Sequence, residues 1–167
     1  MGRFDCDELQ FHCSEGCDAC IDSFVYFVPK NCMACKSCEL ACVLQHSTSG
    51  DINAANCEYP RPLSRLTIEQ GDSKSHLITC HHCKHPKCVE VCNANAIEKN
   101  DETTVMIKNE SCIGFGEGVE ACPFGAIQIH SGAIQIHGHE AVKCDLCEGA
   151  AELSCVLACK CGALIYG

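Results

Sequence analysis

The sequence predicts an α+β fold assembled from a repeated unit of short strand, cysteine loop and one-turn helix. Three observations carry that reading. The first is abundance: 20 of the 167 residues are cysteine, above the roughly 8–10% that marks a Cys-built scaffold. The second is recurrence. Cys32-Met-Ala-Cys35-Lys-Ser-Cys38-Glu-Leu-Ala-Cys42 returns as Cys80-x2-Cys83-x4-Cys88-x3-Cys92 and as Cys144-x2-Cys147-x7-Cys155-x3-Cys159, with a reduced copy, Cys112-x9-Cys122, between them. The third is the flanking pattern, in which β-branched and aromatic runs at 23–28, 76–79 and 104–107 precede copies and another at 163–166 follows the last.

Cysteines spaced two residues apart in CxxCxxC suit a loop that wraps its sulfurs around one 4Fe-4S cubane. The fourth cysteine, Cys42, lies at i,i+4 from Cys38 on one helical face and points elsewhere, so one run predicts a second run to receive it. The CxxxC pairs Cys88/Cys92 and Cys155/Cys159 fit one helical turn in the same way. Two other uses of cysteine fit less well. A disulfide-built secreted domain expects a basic stretch and then an apolar one at the start, and the first 30 residues have neither. Zinc sites use CxxC pairs but seldom CxxCxxC with a fourth ligand from a distant repeat. In the third copy, CIGFGEGVEACP, Phe115 and Gly118 stand where the pattern wants cysteine, leaving Cys112 and Cys122.

The net charge of −10 argues against a nucleic-acid partner and for a neutral or basic docking surface on a protein. No apolar run approaches the 18 or so residues of a membrane span, so the expectation is a soluble, cytoplasmic chain without direct membrane insertion, held at a membrane only through a partner. Six Phe, three Tyr and no Trp make a thin core, for which inorganic clusters would substitute as metals do in other small domains.

Residues 1–22 read as a Cys-rich appendage carrying Cys6, Cys13, Cys17 and Cys20 among Asp5, Asp7, Glu8, Glu15, Asp18 and Asp22. Those four thiols could hold a further cluster, a zinc ion with His12 as a substitute ligand, or nothing; the spacing favours a metal, with a cluster ahead of zinc. Residues 43–75 form a polar, turn-rich insertion with Cys57 and a strand at 65–69, expected to pack over a cluster or meet a partner. A near-verbatim duplication, Gly125-Ala-Ile-Gln-Ile-His130 and Gly132-Ala-Ile-Gln-Ile-His137, reads as two strands joined through Ser131-Gly132 in a hairpin. His130, His137 and His139 beside that turn read as surface residues rather than ligands.

CxxCxSCELACxxxHS at 32–47, CxxCxxPxCxxxC at 80–92, CPFGAI at 122–127 and KCDLC at 143–147 together resemble the ferredoxin-type subunits with four cysteine motifs, and most of all the branch associated with carbon monoxide dehydrogenase. The resemblance spans about residues 24–167. It implies two tandem bacterial-type ferredoxin-like halves with crossed ligation, here 23–42 plus 140–167 and 76–139, with 43–75 inserted. By that pattern Cys32, Cys35 and Cys38 share a cluster with Cys159; Cys144, Cys147 and Cys155 share one with Cys42; and Cys80, Cys83 and Cys88 share one with Cys122. The fourth site would draw on Cys92, Cys112 and the positions of Phe115 and Gly118, and is therefore vacated. Three 4Fe-4S clusters are expected, with a fourth at the N-terminal cysteines if these bind iron.

The resemblance further implies a protein that catalyses no bond chemistry itself. It would pass single electrons between an acceptor or donor and a catalytic subunit of carbon monoxide dehydrogenase, formate dehydrogenase, hydrogenase or tungsten aldehyde oxidoreductase type, as part of a hetero-oligomer. Two rivals are an iron-sulfur redox-sensing or docking module and a freely diffusing polyferredoxin; the insertion, the appendage and the shortened row of clusters favour a bound subunit.

Overall fold

Short strands alternating with short helices give no large sheet, and the described residues settle instead into four separate two-stranded antiparallel ladders joined by cysteine loops. The computed structural model describes residues 24–100, 104–130 and 140–167. Cys6, Cys13, Cys17 and Cys20 and the second copy of the duplication lie outside the described residues. The observed class is α+β.

The first strand, β1 (Val25–Phe27), pairs with the last, β8 (Leu164–Tyr166), in the register Tyr26 opposite Ile165. Val25, Phe27 and Leu164 are buried, and Phe24 N–H and Val28 N–H extend the ladder to the carbonyls of Gly167 and Ala163. The two ends of the described chain are thus closed on one another. Pro29–Asn31 makes a 3-10 turn that delivers Cys32, and α1 (Ser37–Gln45) carries Cys38 and Cys42 on its buried face. Helix α5 (Ser154–Ala158) packs against α1 and ends at Cys159.

The insertion is more ordered than its composition suggests. Asp51 caps a short helix, α2 (Ile52–Ala55), by accepting the N–H groups of Asn53 and Ala54 at 2.9 and 3.0 Å. Strands β2 (Leu66–Gln70) and β3 (Ser75–Thr79) form a hairpin. Leu66 and Ile68 enter the same core as Val25, Phe27, Cys38, Cys42, Cys147 and Cys155. The Glu39 carboxylate of α1 accepts Ile68 N–H at 2.7 Å, and Arg65 N–H donates to Cys42 Sγ at 3.2 Å. The insertion therefore covers the cysteines of the first and last motifs.

A second, smaller core gathers Ile97, Val105, Ile127 and Ala141. It is built by α3 (Lys87–Glu90), the hairpin β4 (Ile97–Lys99) and β5 (Val105–Ile107), and α4 (Glu117–Ala121). Strand β6 (Gln128–His130) pairs with β7 (Glu140–Val142), Ile129 opposite Ala141. The second strand of the hairpin expected through Ser131-Gly132 lies outside the described residues. The alternating isoleucines do mark a strand, but its partner is the apolar-flanked segment leading into the fourth motif.

Candidate metal centres

The cysteine loops share a backbone device. The second residue after the first cysteine is left-handed in every motif: Ala34 at φ 52°, His82 at 47°, Gly114 at 69° and Leu146 at 57°. Holding a non-glycine residue there costs roughly 1–3 kcal/mol. The reversal turns the loop back over its own sulfur, so that Ala34 N–H and His82 N–H each approach the preceding Sγ, of Cys32 and Cys80, at 3.4 Å. Ala163 N–H donates to Cys159 Sγ at 3.2 Å. Such N–H···S bonds favour negative charge on sulfur and tune a cluster that the sulfur carries.

Sequence-distant cysteines come together in a crossed manner. Cys42, from the first motif, lies with Cys144, Cys147 and Cys155 of the last, all four buried. Burial first, and then the neighbouring thiols, push Cys144 and Cys155 each up to about 12. Cys38 is raised to about 11, by burial and then with a contribution from Cys159. Cys32 and Cys159 pack against that same core, whereas Cys35 is exposed, its thiol drawn down by the Ser37 hydroxyl.

Cys80, Cys83, Cys88 and Cys122 ring one cavity, walled also by Val105, Phe124 and Lys143. Burial, followed by Cys80 and Cys122, raises Cys88 to about 11. His81 stacks on Phe124 with ring centroids 4.0 Å apart, giving this cavity an aromatic wall.

Cys92 and Cys112 line a different cavity together with Phe115 and Gly118. The space between its atoms, mouth included, is about 450 Å³ against about 350 Å³ for the cavity of Cys80, so it has not collapsed. Phe115 does not fill it, being 78% exposed. A Cβ at Gly118 would stand 2.7 Å from Ile97 Cδ1, so Ile97 takes part of the room a ligand there would need. Of the two described cysteines outside the motifs, Cys57 is exposed, and Cys161 sits with its Sγ 3.7 Å from that of Cys159.

These sets fit a cluster better than a single ion. Among the described residues no three His, Cys, Asp or Glu side chains converge as one metal ion requires. A tetrahedral zinc at Zn–S distances of about 2.3 Å would need that convergence, whereas a cubane needs sulfurs spread around a volume. Because burial and neighbouring thiols push up Cys83, Cys88, Cys144 and Cys155, these must lose their protons on loading, and a cationic iron core would reverse that repulsion.

Residues 76–167 match the family model of the 4Fe-4S dicluster domain. The chain belongs to that family. The matched span takes in the second, third and fourth motifs of this 4Fe-4S dicluster protein, and the first lies outside it. The electron transport protein HydN of Escherichia coli K12 is 32% identical over 156 residues, covering 87% of each chain. An iron-sulfur protein of Rhodospirillum rubrum is 32% identical over 146 residues, 81% of this chain and 76% of its own. AegA of Escherichia coli K12 is 31% identical over 150 residues, but the match spans only 22% of AegA. Relatedness therefore extends over several oxidoreductase-associated proteins rather than to the carbon monoxide dehydrogenase branch in particular. Among the described residues no helix is long and apolar enough to cross a membrane.

Sequence reasoning missed several residues around these sites. Asp145, inside KCDLC, pairs with Arg65 and accepts from His46 Nε2 at 3.1 Å, while His46 Nδ1 donates to the Cys42 carbonyl at 2.8 Å. Burial disfavours the His46 charge, yet Asp145 and Cys42 outweigh it and raise His46 to about 9. This bridge ties the insertion, α1 and the fourth motif together. Lys143 and His82, both buried, were also unmarked. The HS and KCDLC motifs were the available signals, but nothing in their spacing says that they meet.

Proposed function

We propose that the chain relays single electrons between a catalytic oxidoreductase subunit and an electron acceptor or donor, using three 4Fe-4S cubanes. One would be held by Cys32, Cys35, Cys38 and Cys159, one by Cys42, Cys144, Cys147 and Cys155, and one by Cys80, Cys83, Cys88 and Cys122. The observation that carries this reading is the gathering of Cys42 with the last motif and of Cys122 with the second, the crossed arrangement that paired cubanes use. A bound cubane supplies a one-electron couple of low potential. The residues bury it, donate N–H groups to its sulfurs and hold spacing fixed. Cys80 acts electrostatically on Cys144, and Cys38 likewise on Cys155, which supports reading the three proposed sites as one row.

The catalytic partner is proposed to be an oxidoreductase of the hydrogenase, formate dehydrogenase, carbon monoxide dehydrogenase or tungsten aldehyde oxidoreductase type, with the complex cytoplasmic or membrane-bound through that partner. HydN, an electron transport protein covered over 87% of its length, supports the electron-carrying half of this reading. The test is iron, zinc and acid-labile sulfide per chain on anaerobically isolated protein, with EPR after dithionite reduction. About twelve irons are expected for three cubanes and about sixteen if the N-terminal cysteines hold another; a colourless zinc protein would overturn the proposal.

A further inference from the structure

Lys143 is 3% exposed, and an ammonium group at that depth is costly unless hydrogen-bonded and met by negative charge. Its Nζ donates to the carbonyl oxygens of Val105 and Cys144, the latter at 2.8 Å. Val105 sits on β5 between the second and third motifs, and Cys144 opens the fourth, so the two acceptors come from different cysteine groups. Lys143 also lines the cavity ringed by Cys80, Cys83, Cys88 and Cys122. Its charge acts favourably on the thiolates of Cys88 on one side and Cys144 on the other, against the burial that raises both.

Other cations lie near these sites, with Lys99 Nζ donating to the Cys83 carbonyl at 3.2 Å and Arg65 and His46 both paired with Asp145, but Lys143 is the buried one that borders both groups. His82 is fully buried and accepts Val105 N–H on Nδ1 at 3.1 Å, which places its proton on Nε2, a buried atom with no hydrogen-bond partner. A ring whose Nδ1 accepts a hydrogen bond cannot be an imidazolium, so His82 is neutral. Asp145 nearby is already paired with Arg65 and His46. The carbonyls of Val105 and Cys144 solvate the Lys143 ammonium without cancelling its charge.

We propose that Lys143 is a potential-setting residue, a fixed positive charge where the Cys80/Cys83/Cys88/Cys122 and Cys42/Cys144/Cys147/Cys155 sites meet. It raises the reduction potential of both relative to the Cys32/Cys35/Cys38/Cys159 site. The physics is that one added electron makes each cluster more negative, and a desolvated cation stabilises that state more than the oxidised one. This inference rests on the cluster assignment above and adds that the electron rests preferentially at the junction of the two cysteine groups.

The experiment is an EPR-monitored redox titration of the unaltered protein and of K143Q, K143M and K143R, each first assayed for iron and sulfide. The Cys32 cluster is identified by its loss in C35S. In K143Q and K143M, reduction of two clusters should become about tenfold less favourable, about 59 mV for a one-electron couple, with the Cys32 cluster unmoved and K143R close to the unaltered protein. Full iron with no shift, or with an equal shift of all three clusters, overturns the inference. Failure of the unaltered protein to hold at least about twelve irons overturns the cluster assignment instead. Should neither neutral variant assemble, the unaltered protein decides: the two flanking clusters must titrate above the Cys32 cluster, and the reverse order overturns the inference.

Discussion

At position 118 the distance between glycine and a working ligand comes down to the end of one isoleucine side chain. Ile97 Cδ1 lies 2.7 Å from where a Cβ would be, close enough to force a shift, yet it is the far end of a side chain and can turn aside at modest cost. The rest of that site persists: Cys92, Cys112, the left-handed Gly114 and Gly116, and the open cavity. F115C/G118C together should therefore add about four irons per chain, read by iron analysis, while either single change adds none. The missing ligands were legible in the register of CIGFGEGVEACP. The role of Ile97 was not, because a three-residue strand carries too little periodicity to be seen. The non-glycine left-handed residues Ala34, Lys36 and His82 were equally hidden, since propensity alone assigns such positions to glycine.

The elements were legible where β-branched runs were dense and illegible where pairing mattered. Runs at 65–69, 104–107 and 163–166 appear as β2, β5 and β8 to within a residue or so. The duplication at 125–137 marks β6 but not its partner, because alternation fixes which face is buried and leaves the neighbour open. Strand β1 offers a test of pairing. A proline at Tyr26 would break the ladder with β8, so Y26P should lose the clusters that use the first and last motifs and retain the Cys80 cluster, dropping iron from about twelve to about four. In the insertion, Glu58 holds the loop before α2 by accepting Thr48 N–H at 3.0 Å and Ser49 N–H at 2.8 Å. The Ser49 hydroxyl first, then these N–H groups, lower its pKa. Its contribution is thus present above the ordinary Glu value of 4.5 and lost as pH falls through the lowered one. Protection of the Thr48 and Ser49 amides from exchange, measured against the intrinsic rate at each pH, should fall in E58Q at neutral pH, and in the unaltered loop should fall to that level only in acid.

On the scale of the whole molecule, cysteine takes the place that large apolar residues hold elsewhere. Cys38, Cys42, Cys147 and Cys155 are members of the larger core, alongside only a handful of Val, Phe, Leu and Ile. With burial pushing Cys144 and Cys155 up to about 12, these two metal-free thiols are protonated at neutral pH and offer no charge for the cavity beside them to close on. Stripping iron with a chelator under anaerobic conditions should therefore abolish the far-UV circular dichroism of the helices along with the visible absorption. A protein that kept its helical signal after full iron loss would show that side-chain packing alone sustains the fold. The fold class was readable from composition and recurrence. The interlocking of the motifs through β6 and β7 was not, because pairing between distant segments leaves no local trace.

The closure of β1 on β8 bears on how the protein is made. A ribosome releases Val25 and Cys42 long before it has synthesised Cys155 or Leu164, and until then the opening strand has no ladder and the opening motif lacks its neighbours. The Cys80 to Cys122 stretch, by contrast, has all four of its thiols synthesised before the fourth motif begins. Maturation consequently has an order built into the topology: the Cys80 to Cys122 group can be furnished first, and the groups shared by the first and fourth motifs only once the fourth has been made, the early thiols kept reduced in the interval.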